Sequence, residues 1–570
     1  MIYRSVTHSG PMFQLVKNIQ SRLFALGRQR SWLGLGMLGA SLLLGGAIAV
    51  PAASAEQIRL RYGLYELLIT QEALTTFSET GEADGDLATL VSRLGTDRAA
   101  QFQAALQAEY DLDPVLANRF SYTRSGEQLL TAVGDLIQTG SGQNGYKALR
   151  AALTLAAADP DGLSMLSFLE HFPSEMRINI GDALALAEDY GNLLGETQQA
   201  VEQLAAETAS AAEASPSVDF SQLPDPRLPG DSEVSAETLT LYDEGRDRTI
   251  PMDLYLPEAL PGEEASDVPV IVVSNGLGAR RDRFTDLARH LASHGFAVAL
   301  PDHPGSDRER LQAFYLGFES ENFEPGEYID RPLDVSFILD ELTRLNAERF
   351  SNRLNPEQAG VFGYSFGGTT ALALAGAQVD LAYLQQSCDT RSSLFNISLL
   401  YQCRALELPE GAIEAAELKD DRVQAIYAFV PFSRSLYGPE GMAEVEGPVL
   451  WEATDKDILT PFVVEQLPAF SWLSNAADED RYLAVTAGLP HARITLEVLN
   501  RLTNQDVSDW DAIRPIAEGY HQMLNTAFFQ VHLANNEDYR PYLQAAGAQH
   551  LTQEPYGLTW KDTPLSLDSF

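Results

Sequence analysis

The chain has 570 residues, of which 45% are hydrophobic and 21% charged, so it is long enough for two or three globular domains. This composition excludes a mostly disordered chain, a collagen-like repeat and a polytopic membrane protein. With 39 Lys and Arg against 80 Asp and Glu, the formal net charge is -41, which excludes nucleic-acid binding through a general basic face.

The first 55 residues have the pattern of a targeting signal. Residues 1–32 carry five Arg or Lys side chains and no carboxylate, and an apolar run extends from Leu33 to Val50. A small-residue Ala-Ser-Ala site follows shortly after this run. The order predicts a signal peptide over 1–55, cleaved after Ala55, and hence a periplasmic or extracellular protein. The alternative is a retained N-terminal membrane anchor, because the apolar run can just span a bilayer.

The cysteines of the chain are Cys388 and Cys403. Export to an oxidising compartment favours a local disulfide between them over two separate buried thiols. Two cysteines without paired histidines nearby do not have the pattern of a zinc site. We therefore expect neither a metal ion nor a cofactor.

Residues 56–205 have a helical pattern. Apolar side chains recur at helical spacing, for example at Leu129, Val133 and Leu136, and long stretches are rich in Ala and Leu. Within this region, the segment Gln57–Tyr62 stands out as a possible strand. We predict a small all-helical N-terminal domain with a structural or docking role.

The composition then changes twice. Residues 206–235 are rich in Ala, Ser, Pro and acidic residues and are predicted to form an exposed linker. From 236 to 570, short apolar strands alternate with amphipathic helices, which predicts a doubly wound, mostly parallel α/β sheet. Residues 380–421 interrupt this alternation and are predicted to be an insertion or cap. The predicted strands are Val268–Ser274, Phe296–Leu300, Gly360–Gly363, Gln424–Phe429, Pro448–Trp451 and Tyr482–Thr486.

The strongest chemical signal is Gly363-Tyr364-Ser365-Phe366-Gly367, which follows a predicted strand and precedes a predicted helix. In this context G-x-S-x-G predicts the sharp turn that exposes a nucleophilic serine in the α/β-hydrolase fold. We therefore predict this fold for 236–570, with Ser365 as the nucleophile.

A serine hydroxyl needs a base, and in this fold the acid and then the histidine follow the serine along the chain. His491 lies in a loop just after the predicted strand Tyr482–Thr486, so it is the predicted base. His521 and His532 fall in the last predicted helix, Ile513–Leu533, and are expected to have ordinary packing or surface roles.

The acid should follow the preceding strand. Many hydrolases of this fold have an aspartate four residues before a proline at this point, and Pro461 then selects Asp457. Asp455 is the alternative. The predicted role of the acid is to orient the imidazole and to stabilise the imidazolium.

Acyl transfer also needs backbone N–H groups that face the developing oxyanion. One is predicted from Phe366, directly after the nucleophile. The other is predicted from Leu277, in the glycine-rich loop 275–279 that follows a predicted strand. Asp302 and His303 follow the next strand and are expected to shape the rim of the pocket.

Three segments together resemble one group of α/β-hydrolases. They are S-N-G-L-G-A at 274–279, L-A-S-H-G-F-A-V-A-L-P-D-H-P-G at 291–305 and G-Y-S-F-G-G at 363–368. They look like the platelet-activating-factor acetylhydrolases and the predicted dienelactone-hydrolase-like proteins. The helical segment resembles a domain of unknown function that precedes such hydrolases in exported bacterial proteins. The resemblance implies a serine esterase or lipase that acts on ester-linked acyl groups without a metal.

The chain departs from this group at three points. The acetylhydrolases have His where this chain has Asn275. Their acid follows the sixth strand, where the segment Tyr427–Phe432 has no carboxylate, so the acid moves to Asp457 and the case for phospholipid specificity is weaker. Dienelactone hydrolases use a cysteine nucleophile, whereas this chain has Ser365.

These features predict an exported serine hydrolase that cleaves lipid-like or short-acyl carboxylic esters. The alternatives are a polyester or aryl-ester hydrolase, a thioesterase or a peptidase on the same triad, and a non-catalytic exported scaffold. The expected partner is a small-molecule or lipid ester. Membrane contact and oligomeric state stay open.

Overall fold

The computed structural model describes residues 56–62, 65–160, 162–258, 267–389, 391–473, 480–493, 495 and 510–562. The predicted signal peptide over 1–55, with its cleavage site and the alternative membrane anchor, lies outside the described residues. Among the residues that are described, no helix combines the length and the apolar character needed to cross a membrane.

The N-terminal region is rich in helices but also contains β-structure. Its helices are α1 (Gln71–Thr80), α2 (Gly85–Leu94), α3 (Thr96–Gln107), α4 (Pro114–Tyr122), α5 (Arg124–Leu136), α6 (Tyr146–Ala157), α7 (Met165–His171) and α8 (Ile180–Ala214). Its strands are β1 (Gln57–Tyr62), β2 (Tyr65–Thr70), β3 (Glu109–Tyr110), β4 (Ile137–Thr139), β5 (Leu163–Ser164) and β6 (Met176–Asn179).

The prediction of an all-helical domain is therefore wrong in part. Strands β2, β1, β6 and β4 form one sheet in that order, and β3 pairs with β5. Strand β1 matches the possible strand at Gln57–Tyr62, whereas most of the others are only two to four residues long and have no alternating pattern that would indicate a strand. Several helices begin where a side chain caps their free N–H groups, as Asp113 does for α4 by accepting from Val115 and Leu116.

The predicted linker over 206–235 also needs correction. Residues 206–214 form the last turns of α8, because their Ala- and Glu-rich composition favours a helix. The following segment is not free, since the Phe220 ring lies 4.3 Å from the His550 ring and Gly230 N–H donates to Ser293 Oγ at 2.8 Å. The segment is thus anchored along the surface of the C-terminal half.

The C-terminal half alternates strands and helices as predicted. Its strands are β7 (Val234–Asp243), β8 (Arg248–Pro257), β9 (Val268–Ser274), β10 (Ala297–Pro301), β11 (Leu354–Tyr364), β12 (Val423–Phe429), β13 (Val449–Thr454), β14 (Arg481–Thr486) and β15 (Leu558–Lys561). Its helices are α9 (Thr285–Ser293), α10 (Arg308–Leu316), α11 (Glu327–Arg349), α12 (Phe366–Leu374), α13 (Leu381–Ser387), α14 (Ser398–Gln402), α15 (Arg434–Ala443), α16 (Leu467–Leu473), α17 (Trp510–His532) and α18 (Ala545–Leu551).

Within the described residues, the larger sheet has nine strands in the order β15-β14-β13-β12-β11-β9-β10-β8-β7. The strands from β14 to β10 are parallel, and β15, β8 and β7 are antiparallel to their neighbours. Every residue of β9 is buried, as expected for a parallel strand covered on both faces. The predicted doubly wound sheet is confirmed.

Helices cover both faces of this sheet. On one face, Leu287 of α9 and Met523 of α17 pack with Ile271 of β9 in one buried cluster. On the other face, Leu339 of α11 and Leu372 of α12 pack with neighbouring strand residues in a second cluster. The carboxyl ends of the parallel strands are left for loops, which is where sites form in open α/β sheets.

Helix α8 joins the N-terminal region to the far edge of the sheet. Thr208 Oγ1 lies 2.9 Å from the backbone nitrogen of Trp560 and 3.0 Å from its carbonyl oxygen. Lys561 Nζ forms an ion pair with Glu207 at 2.5 Å. The outer backbone edge of β15 is thereby bound by a helix.

The segment 380–421 is inserted between α12 and β12 and contains the disulfide. Cys388 and Cys403 are bonded with their Cα atoms 5.8 Å apart, which confirms the predicted pairing. The backbone N–H of Ser398 donates to the carbonyl oxygen of Leu459, in the loop after β13, at 2.9 Å. The hydroxyl of Ser125, from α5, donates to Leu400 O at 3.3 Å. The insertion therefore lies between the loop after β13 and the N-terminal region.

Candidate active site

The turn between β11 and α12 lifts Ser365 out of the central sheet. Ser365 has φ 54° and ψ -114°, an uncommon conformation for a residue with a side chain. Glycine is required on both sides of this turn. A Cβ atom at Gly363 would lie 2.1 Å from Gly367 O, and one at Gly367 would lie 1.8 Å from Ser274 O. The close packing of strand and helix thus forces the half-buried serine into this turn at the helix N-terminus.

Ser365, His491 and Asp457 form a chain of hydrogen bonds. His491 Nε2 lies 3.0 Å from Ser365 Oγ, and His491 Nδ1 lies 2.6 Å from Asp457 Oδ2. A carboxylate can only accept, so Nδ1 carries the proton and Nε2 is left to accept from the serine hydroxyl. This arrangement can take a proton from Ser365 Oγ without any rearrangement of the ring.

Asp457 is held as a carboxylate by its surroundings. Its Oδ1 accepts from the N–H groups of Leu459 and Thr460, and its Oδ2 accepts from Thr460 Oγ1. Burial raises the pKa of Asp457, but the neighbouring His491 and these hydrogen bonds outweigh burial and hold the pKa below its ordinary value. Sequence reasoning did not single out Thr460, which completes the set of donors around the acid.

Asp455, the alternative acid, faces elsewhere. Its Oδ1 accepts from the N–H of Gly488 at 2.6 Å, in the loop that leads to His491. Its Oδ2 lies 3.2 Å from Lys456 Nζ. Asp455 therefore shapes the histidine loop, while Asp457 makes the contact with the ring.

Two further groups fix this loop and the nearby backbone. Tyr364 donates its hydroxyl to the carbonyl oxygen of His491 at 2.9 Å. The residues 275–278 pass beside the nucleophile, since a Cβ atom at Gly276 would lie 3.4 Å from Ser365 Cβ. Leu277 is the next residue along this loop, and Phe366 begins α12 directly after Ser365. The two predicted oxyanion donors thus belong to the segments that flank the serine.

The structure corrects the expected role of His303. Rather than lining a pocket rim, His303 is buried, with Nε2 3.0 Å from Ser274 Oγ and Nδ1 2.9 Å from Asp334 Oδ2. This is a second Ser-His-Asp chain, but all of its members are less than 3% exposed. Burial, and then the charge of Arg331, lower the pKa of His303, so the ring is neutral. The arrangement holds the end of β9 and offers no accessible nucleophile.

Asp302, the other residue expected at the rim, is half-buried and accepts from the backbone N–H of Arg281 at 2.8 Å.

His521 and His532 lie in α17, as predicted. His521 is buried with its ring 4.4 Å from that of Phe429, and burial lowers its pKa to about 3. Its Nε2 lies 3.5 Å from Glu452 Oε2, a buried carboxyl that sequence reasoning did not single out. Burial raises the pKa of Glu452 to about 8, so both the carboxyl group and the His521 ring are uncharged near neutral pH.

Two family models match parts of the chain. The first, described as an alpha/beta hydrolase of unknown function (DUF1400), matches residues 54–179. The second, described as alpha/beta hydrolase fold, matches residues 269–382, which include most of β9, all of β11 and Ser365. The fold is that of the alpha/beta hydrolases. No curated protein matches the chain.

The fold and both matches support a hydrolase. Neither description names the acetylhydrolase or dienelactone-hydrolase group, so that narrower resemblance stays a prediction. Among the residues described by the structure, no group of His, Cys, Asp and Glu is arranged to hold a metal ion.

Proposed function

We propose that the protein is an exported serine hydrolase that cleaves carboxylic esters through an acyl-enzyme. The observation that carries the proposal is the chain of hydrogen bonds from Ser365 through His491 to Asp457, at the carboxyl edge of the sheet. The second support is the backbone conformation of Ser365 in the turn between β11 and α12, since the α/β-hydrolase fold places its nucleophile on a strained turn of this kind.

In the proposed first half-reaction, Ser365 Oγ attacks the acyl carbonyl carbon and its proton passes to His491 Nε2. The carbonyl oxygen becomes an oxyanion, held by the amides of Leu277 and Phe366. The C–O bond to the alcohol then breaks, and the alcohol leaves with the proton from Nε2. Asp457 remains ionised and stabilises the imidazolium.

In the second half-reaction, water attacks the acyl-serine and gives a proton to the neutral His491 Nε2. The second tetrahedral intermediate forms in the same oxyanion hole. It collapses by breaking the bond to Ser365 Oγ, which recovers its proton from His491. The carboxylic acid is released and the enzyme returns to its starting state.

The preference for lipid-like or short-acyl esters over peptides rests on the resemblance in the sequence. Export is supported by the N-terminal pattern and by the Cys388–Cys403 disulfide, which suits an oxidising compartment. The proposed location is therefore the periplasm or the extracellular space.

The proposal is tested with a series of p-nitrophenyl esters of increasing acyl length. The protein should turn over at least part of the series, whereas Ser365→Ala and His491→Asn should lose activity. His171→Asn is a matched control, because His171 pairs with Asp159 in the N-terminal region at 3.0 Å and should keep full activity.

A fluorophosphonate probe adds a test that needs no substrate. The adduct should be found by mass spectrometry on the peptide that carries the half-buried Ser365 and not on Ser274, which is fully buried. Folded protein that neither turns over esters nor reacts with the probe would contradict the proposal.

A further inference from the structure

A buried arginine lies behind the proposed oxyanion hole. Arg331, on α11, is 1% exposed. One of its terminal nitrogens donates to the carbonyl oxygen of Asn275 at 2.7 Å. Its guanidinium carbon lies 4.3 Å from the centroid of the Phe366 ring. Arg331 therefore contacts both segments that supply the proposed oxyanion donors.

The loop 275–278 is anchored on each side of Leu277. Arg331 binds Asn275 O on one side, and Ser306 O accepts from the N–H of Gly278 at 2.8 Å on the other. The two anchors are linked, because Arg331 Nε donates to Ser306 Oγ at 2.8 Å. The amide of Leu277 thus lies between two fixed points, both of which depend on one guanidinium and the serine that it binds.

The buried charge of Arg331 is balanced by carboxylates. Glu327 Oε2 lies 3.6 Å from Arg331 Nε and also accepts from Ser306 Oγ at 2.5 Å. Burial outweighs the nearby carboxylates Glu327 and Asp334 and lowers the pKa of Arg331 to about 10, so the guanidinium keeps its charge at neutral pH. A buried charge left without its partners is costly, which fixes the position of the group.

Other residues hold the same loop from the side of β9. His303 binds Ser274, the residue before Asn275, and Asp334 orients His303. Arg248, at the start of β8, also forms ion pairs with Asp334 and Glu327, at 2.8 Å each. These contacts of Arg248 are with the carboxylates and not with the loop. Arg248 and Arg331 thus both pair with Glu327, while Arg331 is the one of the two that contacts the loop.

We infer that Arg331 is a positioning residue for the oxyanion hole, setting the Leu277 and Phe366 amides through Asn275 O and the Phe366 ring. This inference rests on the proposed function. A preorganised donor is effective because it needs no reorientation when the oxyanion forms. A loosened loop should therefore reduce the stabilisation of the transition state more than the binding of the substrate. Loss of the Asn275 anchor should therefore lower kcat more than it raises KM.

The test compares Arg331→Lys with Arg248→Lys in the whole protein. Both variants keep a positive charge near Glu327 and Asp334, but a lysine at 331 cannot bind Asn275 O and Ser306 Oγ in the same fork geometry. Steady-state kinetics on a p-nitrophenyl ester and inhibition by an alkyl boronic acid are measured for each. The boronate forms a tetrahedral adduct on the serine and so reports the oxyanion hole. Thermal unfolding shows whether each variant is folded.

For Arg331→Lys we expect kcat to fall about 10- to 100-fold with KM changed less than about threefold, since a full oxyanion donor is worth about 10²–10³ in kcat. Boronate affinity should fall by a factor similar to that of kcat/KM. Arg248→Lys should stay within about twofold of the wild type in both readouts.

Three results would overturn the inference. A folded Arg331→Lys protein with unchanged kcat would show that the contact with Asn275 does not act on the reaction. Equal losses in both variants would assign the effect to the carboxylate network as a whole. If Arg331→Lys does not fold, Arg331→Gln takes its place, and a loss confined to KM would contradict a role in the oxyanion hole. A wild type that neither cleaves esters nor binds the boronate would instead refute the proposed function, and the inference with it.

Discussion

The hydroxyl of Tyr364 donates to the carbonyl oxygen of His491 at 2.9 Å, so the residue before the proposed nucleophile holds the residue proposed as its base. The two rings are 5.5 Å apart, and Tyr364 is buried. The position of the imidazole is thereby tied to the end of β11, in the centre of the sheet, rather than to its own loop alone.

We therefore expect Tyr364→Phe to lower kcat about three- to tenfold with little change in KM, since a neutral hydrogen bond contributes about 1 kcal/mol. Steady-state kinetics on a short-acyl ester measure this. Tyr437→Phe is the matched control, because Tyr437 is also buried and donates to a backbone carbonyl, Thr369 O, at 2.8 Å. Equal losses in kcat for the two variants would contradict a specific role for Tyr364.

The contacts of Asp457 and Asp455 predict very different effects of neutralising each. Asp457→Asn should lower kcat by about 10⁴, because an amide no longer selects the tautomer that leaves His491 Nε2 free. Asp455→Asn should cost less than about tenfold, since an amide oxygen can still accept from the N–H of Gly488. The kcat values of both variants, with their melting temperatures, decide between the two carboxylates. A larger loss for Asp455→Asn would reverse the proposed assignment.

The buried Glu452 predicts a dependence of stability on pH. Tyr427 donates to its Oε2 at 2.6 Å, but burial dominates and raises the pKa to about 8. In the unfolded chain the same carboxyl has a pKa near 4.3, so between about pH 4.3 and pH 8 the folded state binds the extra proton. Its contribution to stability is therefore complete below this range and is lost as the pH rises through it.

Glu452→Gln removes this titration while keeping an amide oxygen as an acceptor for Tyr427. The melting temperature of the wild type minus that of Glu452→Gln should decrease steadily from about pH 5 to pH 8. Differential scanning fluorimetry across this range measures the difference. A constant difference would show that Glu452 does not titrate there.

The disulfide of the insertion predicts a redox dependence of stability. It closes a loop with a sequence separation of 15, for which the chain-entropy model gives about 3 kcal/mol. Reductant should therefore lower the midpoint of urea unfolding of the wild type. The double variant Cys388→Ser, Cys403→Ser should start at the lower midpoint and should not respond to reductant. An unchanged midpoint in the reduced wild type would contradict this prediction.

The parts of the structure that the sequence predicted well are those with strong local signals. Val268–Ser274 matches β9 at both ends because a continuous apolar run can only be buried on both faces. The G-x-S-x-G turn was predictable for a similar reason. Its glycines are needed because a Cβ atom there would clash with the backbone of the turn or of the adjoining strand. Such features are written in consecutive residues.

What the sequence could not predict depends on contacts between distant residues. Arg331 is 56 positions from Asn275, and nothing around it in the sequence distinguishes it from a surface helix residue. The short strands β4 and β6 pair with each other across about forty residues and carry too few side chains for a periodic pattern. His303 was expected at a rim because its burial comes from α11, which supplies Asp334.

The hydrogen bonds between Thr208 and Trp560 bear on whether the hydrolase half can be separated from the N-terminal region. A free edge strand with unpaired N–H and C=O groups is a template for the edge strand of another copy. In this protein Thr208 of α8 binds both the backbone nitrogen and the carbonyl oxygen of Trp560 on that edge, so the helix stands where another strand would pair. A shortened chain that starts at the hydrolase sheet would expose β15 and Trp560 together. We therefore expect the hydrolase half to need α8, or a replacement for it, when it is produced without the N-terminal region.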